Sequence, residues 1–170
     1  MKLFLIVFVS CILGLTACTE EKPGLYAGDN YVQFYYANPM TFDYISNPLK
    51  SPVINANRLQ DTIYFRVQVI GQPSDRARQV SFEQYQEEDE GYEQAVPGVN
   101  YVPFDDLSLQ ELMVVPGDTA YANIPVVILY DKTSAGMNKK LKLHFKIIDS
   151  EDLRLGQPFL SKGLVTISQR

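Results

Sequence analysis

Apolar and polar side chains alternate along much of the chain after residue 30, a pattern typical of half-buried β-strands. Residues 63–69 carry apolar side chains at the odd positions, and residues 141–147 repeat this pattern with Lys142, His144 and Lys146 on the opposite face. The alternation therefore predicts that these three side chains point outward. Alternation or a short apolar run predicts five more strands, at residues 32–36, 80–82, 109–115, 124–130 and 164–168.

Turn-forming residues separate the predicted strands, at residues 71–75, 115–118 and 134–136 among others. Pro116 fixes φ at the second position of its turn and Gly117 tolerates a positive φ at the third, which predicts a type II turn. Pro125 inside an apolar run indicates an edge strand or a bulge, because proline has no N–H to donate. No long segment has a helical period. We therefore predict an all-β fold, an immunoglobulin-like β-sandwich of about seven strands.

The N-terminal residues predict that the protein is exported to the cell envelope. Lys2 precedes an apolar run at residues 3–15, which is too short for a transmembrane helix of about 20 residues and has the layout of a secretory signal. Residues 15–18 resemble a bacterial lipobox, which implies cleavage before Cys18 and acylation of that residue. The alternative is an ordinary signal with a chance cysteine. We predict a signal peptide at residues 1–17, a flexible tether at 18–29 and a single β-sandwich domain at 30–170.

Charge and cysteine content exclude several classes of function. Cys11 leaves with the predicted signal and Cys18 becomes acylated, so the mature chain has no thiol for a disulfide, a thiolate metal site or a nucleophile. The formal net charge of −5 argues against nucleic-acid binding, which needs clustered lysine and arginine. Glu20 and Glu21 after the cysteine resemble the export signal of surface lipoproteins in Bacteroidota. The resemblance implies an outer-membrane, lipid-anchored protein on the cell surface, although an acidic tether in the periplasm is the alternative.

Three further segments, at residues 67–78, 95–101 and 115–126, resemble in their order a domain of unknown function that is common in Bacteroidota lipoproteins. The resemblance implies an immunoglobulin-like or Calx-beta-like sandwich, often found near starch-utilisation-type uptake systems, and makes glycan capture the natural function. The element at residues 95–101 has the spacing A-x-x-G-x-x-Y. We interpret Tyr101 as a structural corner whose ring packs inside the fold while its hydroxyl bonds to the backbone.

The densest charged segment suggests a cation site. Glu87, Glu88, Asp89 and Glu90 follow one another, and calcium prefers six to eight oxygen ligands. The segment lacks the Asp, Asn and Gly spacing of a known calcium loop, so the alternative is a solvated hairpin tip. A calcium-stabilised adhesion or interaction module is therefore the second functional hypothesis.

Tyrosines are the candidates for ligand contact, because sugars pack on flat aromatic rings and the chain has no tryptophan. We select Tyr35, Tyr85 and Tyr92, although tyrosine is also common as ordinary strand filling. His144 is the only histidine and is predicted to be a surface residue without an orienting partner. No catalytic or cofactor motif is recognisable. We predict a noncatalytic accessory lipoprotein, without a cofactor other than calcium, that binds a glycan or an outer-membrane uptake complex.

Overall fold

The alternating segments form strands of two facing sheets. The computed structural model describes residues 28–35 and 49–170. In chain order the strands are β1 (Tyr31–Phe34), β2 (Leu49–Lys50), β3 (Val53–Ile54), β4 (Gln60–Ile70), β5 (Arg78–Gln79), β6 (Ser81–Gln84), β7 (Glu93–Gln94), β8 (Val114–Val115), β9 (Tyr121–Leu129), β10 (Lys139–Ile148), β11 (Arg154–Leu155) and β12 (Lys162–Gln169). Short helices lie at Leu107–Gln110, Lys132–Ser134 and Pro158–Leu160.

The first sheet has the strand order β11-β1-β4-β9, and the second has the order β2-β12-β10-β6. β3 also pairs with β12, and β7 also pairs with β10, while β5 and β8 form a separate ladder. The beginning of the described chain is divided between the sheets, because β1 is antiparallel to β4 whereas β2 and β3 are parallel to the last strand. Each of the later long strands belongs to one of the two sheets. Two facing sheets connected in this way form an immunoglobulin-like sandwich.

The predicted all-β fold is confirmed, and the strand count is corrected. The described residues contain six strands of four or more residues and six strands of only two. The longer strands coincide with predicted alternating runs, in which Phe65, Val67, Ile124 and Ile128 are buried. Two-residue strands have no period to detect, so the sequence could not show them.

Aromatic side chains from both sheets meet in the core around Phe145. Its ring centroid lies 4.9 Å from that of Phe65 and 5.9 Å from that of Phe34, both on the first sheet. Phe82 and Phe104 complete the cluster at 5.1 and 5.5 Å. Gly163 is the ladder partner of Phe145, and a Cβ at residue 163 would lie only 2.4 Å from the Phe145 ring. The glycine therefore makes room for the central ring of the core.

The predicted strand at residues 109–115 is wrong over most of its length. The structure has a short helix at Leu107–Gln110, and only Val114–Val115 is extended. Asp106 caps this helix, because its carboxylate accepts hydrogen bonds from the backbone N–H groups of Ser108 and Leu109. The apolar residues Leu109 and Met113 are still buried. Leu109 lies in the helix, and Met113 lies in the turn that follows it.

The predicted type II turn is also wrong. Asp118 adopts the left-handed conformation with a φ of 59°, whereas Gly117 does not. A Cβ on Gly117 would lie 2.2 Å from the carbonyl oxygen of Asp75. The glycine is therefore needed for a close approach between two loops and not for a positive φ.

Pro125 lies on an outer strand, as predicted, because β9 ends the first sheet. Cys18, most of the tether and Tyr36 lie outside the described residues, so their predictions stay predictions. In the part of the chain that the structure describes, no helix has the length and apolar character needed to cross a bilayer.

Candidate functional site

The acidic segment after β6 folds back over the outer face of the second sheet. At its start, the backbone N–H of Tyr85 donates to the carbonyl of His144, and at its end the N–H of Ala95 donates to the carbonyl of Lys142. The short strand β7 then pairs with β10. The segment between these points, residues 86–92, is thereby held beside the outward side chains of β10. We call the space that it encloses the His144 cleft.

His144 points outward, as its strand position predicts, but its side chain is only 6% exposed. The expectation of a surface histidine without a partner is wrong, because residues 86–92 cover it. Its Nε2 atom lies 2.5 Å from Oδ2 of Asp89, and its Nδ1 atom lies 3.7 Å from a carboxylate oxygen of Glu87. The imidazole therefore has a carboxylate on each side.

Asp89 joins the loop to two residues of β10. Its Oδ1 accepts a hydrogen bond of 2.5 Å from Nζ of Lys142, while its Oδ2 contacts His144. The hydrogen bond from Lys142, aided by His144 and opposed by burial, holds the pKa of the Asp89 carboxyl below its ordinary value of 3.8. Asp89 is thus an anion at neutral pH.

Tyr85 and Tyr92 each lie close to one of the β10 residues that Asp89 contacts. The ring centroid of Tyr85 is 5.5 Å from that of His144, and Nζ of Lys162 lies 5.1 Å from the Tyr85 centroid. Nζ of Lys142 lies 4.5 Å from the centroid of Tyr92. Both rings are half-buried. Tyr85 therefore lines the cleft together with the only histidine of the chain, whereas Tyr92 lies outside the lining and contacts Lys142.

The cleft has a volume of about 280 Å³ and joins loop residues to the two strands β10 and β12. This volume suits a small group such as one sugar ring rather than a large cofactor. Both aromatic and charged surfaces are available to a ligand. The lining residues are Tyr85, Glu87, Asp89, Lys142, His144, Lys162, Gly163 and Leu164.

The four carboxylates predicted as calcium ligands are not brought together. Asp89 and Glu87 face His144, whereas Glu88 and Glu90 are exposed. Among the described residues, no group of three or more histidine, cysteine, aspartate or glutamate side chains is arranged to hold a metal ion. Calcium binding stays a prediction of the sequence.

Tyr35, the third predicted contact residue, lies on the other sheet. Its ring centroid is 5.0 Å from that of Tyr121, and the two rings are nearly perpendicular, at 81°. The guanidinium of Arg66 lies against both. The sequence therefore identified residues of two separate surfaces as if they formed one.

Sequence reasoning missed Lys142, His144 and Lys162 as site residues, and it missed Arg66 and Tyr121. The alternation of β10 does place Lys142 and His144 on one face. Nothing local shows that an acidic segment more than fifty residues earlier covers that face, since Asp89 and His144 are 55 positions apart. Tyr101, in contrast, is buried as expected, although its hydroxyl donates to the side-chain oxygen of Gln84 and not to the backbone.

No protein-family model matches the sequence, and a search of curated proteins finds no match. Solved structures that resemble it include a two-domain protein of unknown function from Bacteroides fragilis, with 14% identity over 84% of this chain and a TM-score of 0.48. A protein of unknown function from Bacteroides ovatus has 16% identity over 81% of this chain and a TM-score of 0.49. The chain spans 46% and 44% of the lengths of these two structures.

A third similar structure is EndoBT-3987 from Bacteroides thetaiotamicron with a Man5GlcNAc product, with 12% identity, a TM-score of 0.42, and coverage of 70% of this chain and 28% of that one. Similarities at this level carry no argument about a site.

Proposed function

We propose that the protein is a noncatalytic binding module that holds a saccharide in the His144 cleft. The observation that carries the proposal is that the cleft lining joins the ring of Tyr85 to the Asp89–Lys142 ion pair. A sugar ring has an apolar C–H face that packs on an aromatic ring, and hydroxyl groups that bond well to charged donors and acceptors. The cleft offers both kinds of surface within one small volume.

The ionic contacts also support binding by keeping the cleft in one shape. Lys142 and His144 are both held by Asp89, and Lys142 additionally lies against the ring of Tyr92. Side chains that are already ordered lose little conformational entropy when a ligand arrives. A polar group that is already ordered therefore contributes more binding free energy for a weakly bound sugar than a mobile surface lysine does.

The state of Asp89 supports a noncatalytic role. A general acid that cleaves glycosidic bonds works with a raised pKa, so that it is protonated near neutral pH. The pKa of Asp89 is lowered instead, chiefly by Lys142. His144 lies beside carboxylates, but the cleft lining contains no serine, threonine or cysteine that it could activate. These features favour binding over turnover.

The proposed location comes from the sequence. The lipobox at residues 15–18 would attach the module to the outer membrane through acylated Cys18, and Glu20 and Glu21 would direct it to the cell surface. A saccharide held there would be presented to an outer-membrane uptake complex as the accessory partner. The module would thus gather a ligand that another protein transports.

A glycan array tests the proposal, with the full chain purified in mild detergent. We expect a set of glycans to bind the wild type and to bind Tyr85→Ala about tenfold more weakly, because one ring-stacking contact is lost. Tyr31→Ala is the matched control, since Tyr31 is a half-buried tyrosine of the first sheet. Equal binding by both variants would contradict a site in the cleft. Silence of the wild type, with copurification of a transporter, would instead indicate a scaffold.

A further inference from the structure

Arg66 lies on the outer face of the first sheet, and its guanidinium contacts two aromatic rings. The Cζ atom of Arg66 is 4.7 Å from the ring centroid of Tyr35 and 4.8 Å from that of Tyr121. The two centroids are themselves 5.0 Å apart, so the three centres form a nearly equilateral triangle. Both rings therefore lie on one side of the guanidinium, and the Arg66 side chain is exposed.

Arg66 differs from three other exposed arginines in lacking an acidic partner. Arg58 is 2.6 Å from Asp61, and Arg76 and Arg154 each lie within 3.6 Å of an aspartate. Within residues 28–35 and 49–170, no carboxylate pairs with Arg66, although its side chain is exposed and the whole chain is acidic. Its charge is therefore available to a ligand from outside.

The strand register surrounds this arginine with uncharged side chains. Asn123 is its ladder partner on β9, and the next pair along the same face joins Gln68 to Tyr121. Gln68 is also opposite Gln33 on β1, and its amide donates to the Tyr121 hydroxyl over 3.3 Å. An anion that approaches this face meets amide and hydroxyl groups beside the guanidinium and no carboxylate from these neighbours. We call these residues, with Tyr35 and Tyr64, the Arg66 face.

The same face continues into a groove. Tyr64 is two residues before Arg66 on β4 and is 56% exposed. Together with Asn123 it lines a groove of about 560 Å³ that runs to Ser108 and Leu112 beside the short helix. Aromatic, amide and hydroxyl groups thus extend for several residues from the arginine.

We propose that the Arg66 face is a second binding site, separate from the His144 cleft, for a glycan whose sugar rings carry carboxylate groups. The planar guanidinium accepts a carboxylate through two parallel N–H donors. Tyr64 and Tyr121 supply aromatic surface for sugar rings, and the amides of Gln68 and Asn123 supply hydroxyl partners. The saccharide class rests on the proposed function, whereas the preference for an anion rests on Arg66 alone.

The position of Arg66 favours a glycan over an acidic peptide. Peptides commonly bind sheets by adding a strand at a free edge. β4 is paired with β1 along one side and with β9 along the other, so no backbone groups are free at Arg66. A ligand there has to be recognised through side chains that project from the face, which suits the hydroxyl and carboxylate groups of a saccharide.

Calorimetric titration with a galacturonate hexamer tests the proposal, using its methyl ester as the uncharged counterpart and the full chain in mild detergent. We expect the acid to bind the wild type at least tenfold more tightly than the ester does, because the ester cannot form the charged pair. Arg66→Gln removes this difference, and Arg66→Lys, which keeps the charge without the planar fork, retains part of it. Arg76→Gln is the matched control, because it removes one exposed arginine elsewhere.

The difference in affinity between acid and ester separates the two sites: we expect Tyr85→Ala to keep this difference, whether or not the cleft binds a sugar, because the difference comes from Arg66. Binding of the acid should also weaken as salt is raised, since the pair is exposed. Several results would overturn the proposal: no binding of the acid, equal affinities for acid and ester, the same loss in Arg66→Gln and Arg76→Gln, or equally tight binding of a glutamate hexapeptide.

Discussion

Nε2 of His144 lies 2.5 Å from a carboxylate oxygen of Asp89, although 55 positions separate the two residues in the chain. The other oxygen of Asp89 binds Lys142, two positions before the histidine on the same strand. One carboxylate thus fastens a loop across two outward side chains of β10. Asp89 therefore adds side-chain contacts to the backbone hydrogen bonds that hold the two ends of the loop at Tyr85 and Ala95.

Asp89→Asn is expected to lower the free energy of unfolding by about 1 kcal/mol, because a charge-assisted hydrogen bond to Lys142 is lost and His144 loses the nearer of its two carboxylate neighbours. Chemical denaturation measures this change. Glu88→Gln is the matched control, since residue 88 is exposed and its neutralisation also removes one negative charge. Equal stabilities of the two variants would show that the Asp89 contacts do not hold the loop.

The lowered pKa of Asp131 predicts how the free energy of unfolding depends on pH. Hydrogen bonds from Ser134 and Thr133 lower the pKa of its carboxyl from 3.8 to about 2. Because the folded pKa lies below the unfolded one, this stabilisation is present above pH 4 and is lost as the pH falls towards 2; it amounts to about 2 kcal/mol. Denaturation at a series of pH values should show a flatter profile between pH 4 and 2 for Asp131→Asn.

Asp75→Asn is the control for this profile, because Asp75 is an exposed aspartate in a loop. We expect its profile to follow that of the wild type. A wild-type profile that stays flat between pH 4 and 2, or an unchanged profile in Asp131→Asn, would contradict the role assigned to Asp131.

Gly163→Ala is expected to destabilise the core by about 1 to 3 kcal/mol, because the new methyl group overlaps the ring of Phe145. Thermal or chemical unfolding measures the effect. Phe145→Leu provides the control background, since the smaller side chain leaves space for the methyl group and should make the glycine substitution much less costly. An equal cost in both backgrounds would mean that the ring is not the obstacle.

Cys18→Ala tests the predicted anchor, which lies outside the described residues. Cells grown with a radioactive fatty acid should label the wild-type protein and leave the variant unlabelled, because the lipobox reading places the acyl chains on this cysteine. An unlabelled wild type, or a variant that takes up as much label, would refute the lipoprotein assignment.

Local features of the sequence predicted much of the fold. Burial alternates along β4 and β12 as the apolar residues do, because a strand exposes its two faces in turn. The helix at Leu107–Gln110 was missed although its signal was local: Asp106 precedes it and Ser108 completes the cap. The apolar residues after the cap favoured a strand, although a short helix can bury the same residues equally well.

The candidate site was predictable only in part. Tyr85 and Asp89 are recognisable as candidates from residue type, but the pairing of Asp89 with His144 depends on a loop crossing a distant strand. The role of Gly117 has the same origin, since the carbonyl that it accommodates belongs to Asp75, more than forty positions earlier. Contacts between distant segments are set by packing, which no local pattern encodes.

Because the chain has a single histidine, saccharide binding in the His144 cleft can be tested at one side chain. With ¹³C-labelled histidine, the NMR spectrum of the protein contains one imidazole signal, from His144 in the cleft. We expect a glycan found on the array to shift this signal in a saturable titration, and Tyr85→Ala to weaken its affinity about tenfold. A glycan that binds the protein and leaves the His144 signal in place would contradict binding in the cleft.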